Sequence, residues 1–269
     1  MKKAQVNGVT LEYEMQGSGE PVVFIHGALM AATFQHLINE PALKAYRLIR
    51  YSRRGYAGST GEAAVPISTQ AADCAALLRE LDAVPAHIVG HSSGGSIAIQ
   101  IALDHPEAVR SLALLEPALL DVPSAGVLLE RVGASVPVYQ GGDKAGAVDA
   151  FLKPVCGDHY RATVDKAFPG TMDQATKNAS SFFEGEFPAL GEWQCAREDA
   201  ARIEAPVLSV LGADTGESIG LPVYTEIHER VLDWFPNAKP FVLPQAAHLL
   251  QVENPRGMAE GLAAFLSAQ

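Results

Sequence analysis

Short apolar runs alternate along this chain with segments of helical periodicity. Continuous apolar runs are typical of strands buried on both faces of a parallel sheet, whereas apolar residues spaced by three or four positions predict helices. The pattern predicts strands near residues 21–25, 47–51, 86–90, 111–115, 206–212 and 241–244, and helices near 28–44, 68–81, after 95, 224–234 and 255–267. This alternation predicts an α/β fold, with a mostly parallel central sheet and helices on both faces.

Two stretches depart from the alternation. Residues 5–16 form short runs on either side of Asn7-Gly8, a dipeptide that favours a two-residue hairpin turn. Between residues 118 and 201 the strand pattern stops, and Gly and Pro interrupt helix-compatible segments before strands resume. We therefore expect one core, residues 1–117 and 202–269, with a helical insertion at 118–201. Ser68 is expected to cap the helix that begins beside it.

The net charge and the cysteines indicate which partners and which cellular compartment the protein is suited to. A formal net charge of −11 over 269 residues argues against nucleic acid and anionic membrane surfaces as partners. No apolar run is long enough to span a bilayer, and the first residues lead into a polar hairpin instead of the apolar run of a signal peptide. Cys74, Cys156 and Cys195 are odd in number and scattered, which fits a reducing cytoplasm. The expectation is a cytoplasmic protein.

No cofactor is implied by the sequence. The cysteines and histidines lack metal-ligand spacing, so no metal is expected, and no organic cofactor is implied either. The expected partner is a small-molecule substrate. The oligomeric state stays open, a homodimer included.

The chemistry centres on Gly90-His91-Ser92-Ser93-Gly94, which stands between a predicted strand and a predicted helix. In a G-x-S-x-G pentapeptide a tight turn holds the serine in strained backbone geometry, and the two glycines relieve the clash. The turn presents Ser92 Oγ at the carboxyl edge of the sheet, near the helix N-terminal amides. We interpret Ser92 as a nucleophile. The alternative is a Gly/Ser-rich turn that only packs.

A serine nucleophile needs a base, and the base needs an acid. His248 follows the last predicted strand and precedes the last helix, which places it at the same edge of the sheet. Two carboxylates could orient it. Glu116 ends the strand that follows the nucleophile helix, and Asp214 follows the strand that ends at Gly212.

Other residues are candidates for binding. The backbone N–H groups of Ala28 and Ser93 are the natural pair of donors for a tetrahedral oxyanion. Leu29 and Leu249, near the catalytic loops, are expected to shape the substrate pocket together with aromatic side chains of the insertion, because ligand sites are mostly apolar.

These features together resemble the α/β-hydrolase superfamily, in the form that carries a helical cap. The resemblance rests on His26-Gly27, the loop at residues 54–59, the elbow at 90–94, and Ala247-His248 with Pro255 downstream, and it spans nearly the whole chain. It implies the α/β-hydrolase fold and a Ser–His–acid triad. Its motifs are specific for the fold and not for a substrate.

The chain departs from the family pattern at two places. The loop usually begins with aspartate, where Ser52 stands here. The family's usual acid lies three residues after the glycine at position 212, but that position is Thr215 in this chain, and Asp214 lies one residue before it. Some relatives, including haloalkane dehalogenases and zearalenone-type lactonases, take their acid from the end of the strand after the nucleophile helix. Glu116 resembles that position, so Glu116 is favoured and Asp214 stays the alternative.

The expected function is a serine hydrolase that cleaves a small, largely apolar carboxylic ester or lactone through an acyl-enzyme. A C–C bond hydrolase is a weaker alternative, because relatives with that activity often carry tryptophan after the histidine, where Leu249-Leu250 stand here. Perhydrolysis or acyl transfer on the same triad is another. A non-catalytic small-molecule binding protein is the alternative from a different class, since fold does not imply function.

Overall fold

The centre of the molecule is one eight-stranded sheet. A computed structural model describes all 269 residues. The strands are β1 (Lys2–Val6), β2 (Val9–Gln16), β3 (Pro21–Ile25), β4 (Arg47–Tyr51), β5 (Ala86–His91), β6 (Val109–Leu115), β7 (Val207–Gly212) and β8 (Ala238–Leu243). They lie in the order β1-β2-β4-β3-β5-β6-β7-β8. The pairs β1–β2 and β2–β4 are antiparallel, and all other pairs are parallel. The predicted α/β fold is confirmed.

Helices cover both faces of this sheet and also form the segment between β6 and β7. They are α1 (Ile67–Glu80), α2 (Ser93–Asp104), α3 (Ala125–Gly133), α4 (Ser135–Gln140), α5 (Lys144–Cys156), α6 (Tyr160–Ala167), α7 (Thr171–Lys177), α8 (Ala179–Ser181), α9 (Phe187–Glu192), α10 (Arg197–Ala200), α11 (Thr215–Ile219), α12 (Val223–Trp234), α13 (Leu250–Glu253) and α14 (Pro255–Leu266). A π-helical turn, Phe182–Glu186, joins α8 to α9. None of them combines the length and the apolar character that a bilayer crossing requires.

The sheet separates two apolar clusters. Along β3, Val23 and Ile25 belong to the larger cluster, which includes residues of α1, α2 and the insertion. Val22 and Phe24 point the other way, into a smaller cluster closed by α14 and the short turns before β4. Because successive strand residues face opposite sides, a strand buried on both faces is expected to be mostly apolar, and all five residues of β3 are apolar and buried.

Two local predictions were wrong. Residues 28–44 form turns and two single-turn 3₁₀ helices, Leu37–Asn39 and Pro41–Leu43, and not one helix. Pro41 starts the second turn and lacks the N–H that a continuous helix would need there. Ser68 lies inside the first turn of α1, whose N-cap position is Pro66 and has no side-chain cap.

The segment between β6 and β7 contains α3 to α10 and no strand. We call residues 118–201 the helical insertion. Its helices pack on one another and on α11 and α13. Aromatic rings such as Phe151, Phe182 and Phe187 meet inside it, with Phe151 and Phe182 centroids 4.4 Å apart. The three cysteines are free and buried.

Candidate active site

Ser92 lies between β5 and α2 in a strained backbone conformation. Its φ and ψ are 54° and −122°, which a residue with a side chain rarely adopts. The turn is tight enough that a Cβ on Gly90 would lie 2.4 Å from the Gly94 carbonyl oxygen, and one on Gly94 would lie 2.2 Å from that of Ile25. Both flanking glycines are therefore required by close approach of the backbone. The strain holds Ser92 partly exposed at the carboxyl edge of the sheet.

His248 and Glu116 form a buried pair beside this turn. His248 Nδ1 lies 2.6 Å from Glu116 Oε2, and both side chains are at most 2% exposed. Glu116 directly follows β6, while His248 follows β8, so two parallel strands bring the residues to one edge. The other carboxylate oxygen, Oε1, accepts hydrogen bonds from Gly212 N–H at 2.8 Å and from the Thr215 hydroxyl at 2.6 Å. Two donors thus fix the orientation of the carboxylate, and the carboxylate in turn fixes that of the imidazole.

Burial controls the charge of the pair. Removal from water raises the pKa of Glu116 to about 7, although the hydrogen bonds from Thr215 and Gly212 oppose that shift. Burial lowers the pKa of His248 to about 3 because it disfavours the imidazolium. Above the pKa of Glu116 the carboxylate is ionised, and the neutral imidazole donates Nδ1–H to it, which leaves Nε2 free to accept a proton.

Asp214, the other candidate acid, does not contact His248. Its side chain is exposed and makes no hydrogen bond to His248, while its backbone N–H is bonded to Ala246 O at 2.9 Å. Of the two acids that the sequence offers, Glu116 is the one in contact with His248. Thr215 stands at the position of the family's usual acid, and its hydroxyl donates a hydrogen bond to Glu116 instead.

Two backbone donors flank Ser92. Ala28 and Ser93 line the same cavity as Ser92. The Ala28 N–H has no partner among the backbone bonds of the loops. Ser93 is the first residue of α2, so its N–H has no partner within the helix. Both N–H groups are therefore available to an oxygen placed next to Ser92.

Tyr224 and His91 surround His248 and were not singled out from the sequence as site residues. The Tyr224 ring stacks on the imidazole with centroids 4.3 Å apart, and its hydroxyl lies 3.4 Å from Nε2. His91 Nε2–H donates to the His248 carbonyl at 2.7 Å. Burial lowers the pKa of His91 to about 3, so that His91 acts as a neutral donor. In the sequence Tyr224 belongs to an ordinary apolar helical stripe, which gives no functional signal.

A cavity of about 960 Å³ opens at Ser92 between the core and the helical insertion. Hydrophobic side chains form 17 of its 24 lining residues. Asp121 is the single charged residue among them, with a side chain 86% exposed and paired with Arg230 at 2.9 Å. The lining contains no lysine, arginine or histidine that could bind an anionic group. No cluster of three or more His, Cys, Asp or Glu side chains could hold a metal ion.

The expectation that Leu29 and Leu249 line the pocket is not met. Both are fully buried in the core cluster and lie outside the cavity wall. Leu29 has a φ of 64°, and its carbonyl accepts from Asn178 Nδ2 at 3.0 Å. Aromatic residues of the insertion do reach the cavity, namely Phe151, Phe183, Phe187 and Trp193.

Comparison with known proteins identifies the family. Residues 20–255 match the family model described as "alpha/beta hydrolase fold". The chain therefore belongs to the α/β-hydrolase fold family, in agreement with the parallel sheet and the strained serine turn.

Individual relatives cover nearly the entire chain. It is 28% identical to the protein named "Putative non-heme bromoperoxidase BpoC" of Mycobacterium tuberculosis, over 97% of this chain and 98% of that protein. The solved structure of Est816, described as an N-acyl homoserine lactone degrading enzyme, superposes with a TM-score of 0.74 at 24% identity, over 98% and 100% of the two chains. The enol-lactonase of Burkholderia xenovorans LB400 gives a TM-score of 0.79 at 19% identity, over 99% and 100%. These structural likenesses concern the fold.

Proposed function

We propose that this protein is a serine hydrolase that cleaves an uncharged, apolar carboxylic ester or lactone through an acyl-enzyme on Ser92. The observation that supports the proposal is that Ser92 lies at the wall of an apolar cavity and directly follows His91, which contacts the buried Glu116–His248 pair. The N–H groups of Ala28 and Ser93, at the same wall, have no backbone partner. Nucleophile, base, orienting acid and oxyanion donors are the parts that acyl transfer requires.

In the proposed mechanism, Ser92 Oγ attacks the carbonyl carbon and its proton passes to His248 Nε2. Glu116 accepts the Nδ1–H bond throughout, so the tautomer is fixed and the imidazolium is stabilised as it forms. The Tyr224 hydroxyl, at 3.4 Å from Nε2, is too distant for a strong hydrogen bond, so Nε2 stays available to Ser92.

The tetrahedral oxygen would receive hydrogen bonds from the N–H groups of Ala28 and Ser93. Preorganised donors of this kind are typically worth about 3–4 kcal/mol each in the transition state. Collapse expels the alcohol, which takes the proton from His248. Water, deprotonated by the same imidazole, then hydrolyses the ester on Ser92.

The cavity argues for a larger substrate than the small ester that the sequence suggested. Its volume, about 960 Å³, lies near the upper end of the range of about 300–1,000 Å³ for small-molecule sites. The apolar wall and the lack of a cationic side chain favour a long or bulky uncharged acyl group. Lactones are included because they undergo the same acyl transfer, and the fold is shared with two lactone-degrading enzymes.

The first experiment is labelling with a fluorophosphonate probe, followed by mass spectrometry of the modified residue. We expect modification at Ser92 that disappears in Ser92→Ala and His248→Ala variants. Ser96→Ala, which removes a serine in the first turn of α2, serves as the matched control and should label normally. An unlabelled, well-folded wild-type protein would refute the hydrolase proposal and favour a ligand-binding protein.

A chain-length series of p-nitrophenyl esters tests the substrate class. Val132 lines the cavity, whereas Val127 lies on the same helix with 45% of its surface exposed. We expect Val132→Trp to reduce kcat/KM for an octanoyl ester relative to a butanoyl ester by about tenfold, because displacing about two of the four extra methylenes, at about 0.8 kcal/mol each, costs about 1.6 kcal/mol. Val127→Trp should leave that ratio unchanged. Equal effects of the two variants would contradict the assignment of the cavity.

The acyl acceptor is tested in the same assay. The relative named as a bromoperoxidase makes hydrogen peroxide the second acceptor to examine. Peracid formation that exceeds hydrolysis at equal peroxide and ester concentrations would establish perhydrolysis, and its absence would leave water as the acceptor.

A further inference from the structure

Arg53 is buried behind the candidate oxyanion hole. It lies in the loop after β4, is 1% exposed, and its guanidinium makes its three shortest hydrogen bonds to groups in different parts of the chain. The acceptors are Glu186 Oε1 at 2.8 Å, Gln70 Oε1 at 2.7 Å and the Gly27 carbonyl oxygen at 3.0 Å. A buried ion pair is weak evidence for a role in stability, because desolvation offsets most of the attraction. The contact with Gly27 suggests a different role.

The Gly27 carbonyl belongs to the same peptide group as the Ala28 N–H. This oxygen accepts two hydrogen bonds, from Arg53 and from His26 Nδ1 at 2.7 Å. The tautomer of His26 follows from its other nitrogen: Nε2 accepts from the Arg53 backbone N–H at 3.0 Å, so the proton is on Nδ1. Burial and the nearby guanidinium lower the pKa of His26 well below its ordinary value, so His26 is a neutral donor.

Two donors at the carbonyl end, one of them cationic, strengthen the N–H end of the same peptide. Hydrogen bonds in a chain polarise one another, and the effect is larger where water is excluded. Arg53 also approaches Ser93, whose hydroxyl lies 3.4 Å from the guanidinium. The positive charge therefore lies close to both residues whose N–H groups flank Ser92.

The helical insertion fixes the position of Arg53. Glu186 ends the π-helical turn, is fully buried, and accepts through its second oxygen from the Tyr56 hydroxyl. The guanidinium also lies over the Tyr56 ring, 4.9 Å from its centroid. A residue of the insertion thus holds the cation against the Gly27–Ala28 peptide.

We propose that Arg53, held by Glu186, is a positioning residue that orients and polarises the Gly27–Ala28 peptide and so strengthens the Ala28 oxyanion donor. The inference rests on the proposed function of the site. It predicts a role in transition-state stabilisation and none in binding of the ground-state ester.

The test compares kcat and KM in variants of Arg53. We expect Arg53→Met to lower kcat about 10- to 100-fold with KM changed less than threefold, since removal of a complete oxyanion donor costs about 10²- to 10³-fold. Inhibition by a trifluoromethyl ketone, whose adduct with serine carries the oxyanion, should weaken by the same factor. Arg53→Lys, which retains a cation, should recover part of both losses.

Controls separate this role from folding. Arg53→Met alone leaves Glu186 buried without its partner, so Arg53→Met/Glu186→Gln is measured beside it, with thermal unfolding of each variant. Arg54→Met is the matched control, because Arg54 pairs with Asp73 at 2.8 Å and does not contact Gly27. It should change kcat less than threefold.

The outcomes are distinct. If a folded double variant keeps the wild-type kcat, the proposed role of Arg53 is overturned. Ser92-dependent hydrolysis by the wild type would in that case still support the proposed function. A wild-type protein without Ser92-dependent hydrolysis would overturn both. Parallel losses in kcat and in trifluoromethyl ketone affinity, in a folded double variant, would establish the proposal.

Discussion

Replacing Glu116 with glutamine should trap His248 in the wrong tautomer. Gly212 N–H donates to Glu116 Oε1 at 2.8 Å, and the Thr215 hydroxyl donates to the same atom at 2.6 Å. The glutamine carbonyl oxygen must take this position, because an amide NH₂ there would face the Gly212 N–H. The NH₂ group then points at His248 Nδ1 across the 2.6 Å contact, so Nδ1 must accept a hydrogen bond instead of donating one.

An imidazole that accepts at Nδ1 carries its proton on Nε2 and cannot take the proton of Ser92. In a serine protease the corresponding acid-to-amide change lowers kcat about 10⁴-fold with the geometry intact. That factor equals about 5.4 kcal/mol of transition-state stabilisation. We expect a loss of about 10³- to 10⁴-fold here. Both hydrogen bonds to the Oε1 position persist, so thermal stability should change little.

The assay is steady-state hydrolysis of p-nitrophenyl butyrate, with circular dichroism to verify folding. Asp214→Asn, the same chemical change at the other candidate acid, is the matched control and should retain kcat within about twofold because Asp214 is exposed and apart from His248. The reasoning is refuted if Glu116→Gln keeps more than about a tenth of wild-type kcat. A tenfold loss in Asp214→Asn would refute it as well.

Three further predictions concern pH, the stacked ring and the serine turn. Burial raises the pKa of Glu116 to about 7, so kcat/KM should fall as the pH decreases through about 7 and the carboxylate takes up a proton. A kcat/KM that stays flat down to pH 5 would contradict this prediction. Tyr224→Phe keeps the stacked ring and should retain kcat within about threefold, whereas Tyr224→Leu should lower it about tenfold; equal losses would give the hydroxyl a role. Gly94→Ala should destabilise by at least about 2 kcal/mol in urea unfolding, because its Cβ meets backbone. Gly126→Ala, in open space on α3, should not destabilise, and similar midpoints for the two would contradict the close approach.

Most of the sheet could be predicted from the sequence because its interior strands are buried on both faces and therefore rich in apolar residues. All five residues of β3 are apolar and buried, whereas β5, also buried throughout, keeps a shorter apolar run at Ile88-Val89. The hairpin could be predicted equally well. Asn7 and Gly8 have φ of 46° and 77°, the left-handed conformation that this dipeptide favours. Residues 28–44 lacked such a signal, since their turns depend on contacts with α14.

The site could be predicted only in part. Ser92 and His248 follow from position in the strand–helix alternation, but the choice between acids depends on three-dimensional neighbours. β6 pairs with β7 in a register that matches Leu115 with Val210, and this register carries Glu116 to Gly212. Strands that are buried on both faces lack the alternating apolar pattern from which a register could be read. The sequence did contain one clue to the acid. Thr215 places a hydroxyl where the family's usual acid is expected, and a hydroxyl there fits a hydrogen-bond donor to an acid that another strand supplies.

The proposed chemistry and the proposed selectivity come from different parts of the chain. Ser92, Glu116 and His248 all follow strands of the core, whose parallel directions bring them to one edge, whereas most of the cavity wall belongs to the helical insertion. Changes in the part of the wall that the insertion supplies should therefore alter which ester is preferred and leave the rate with a short ester nearly intact. Glu186 is the exception, because it reaches the oxyanion peptide through Arg53. A substitution there should lower the rate with every ester by a similar factor, which is the opposite pattern.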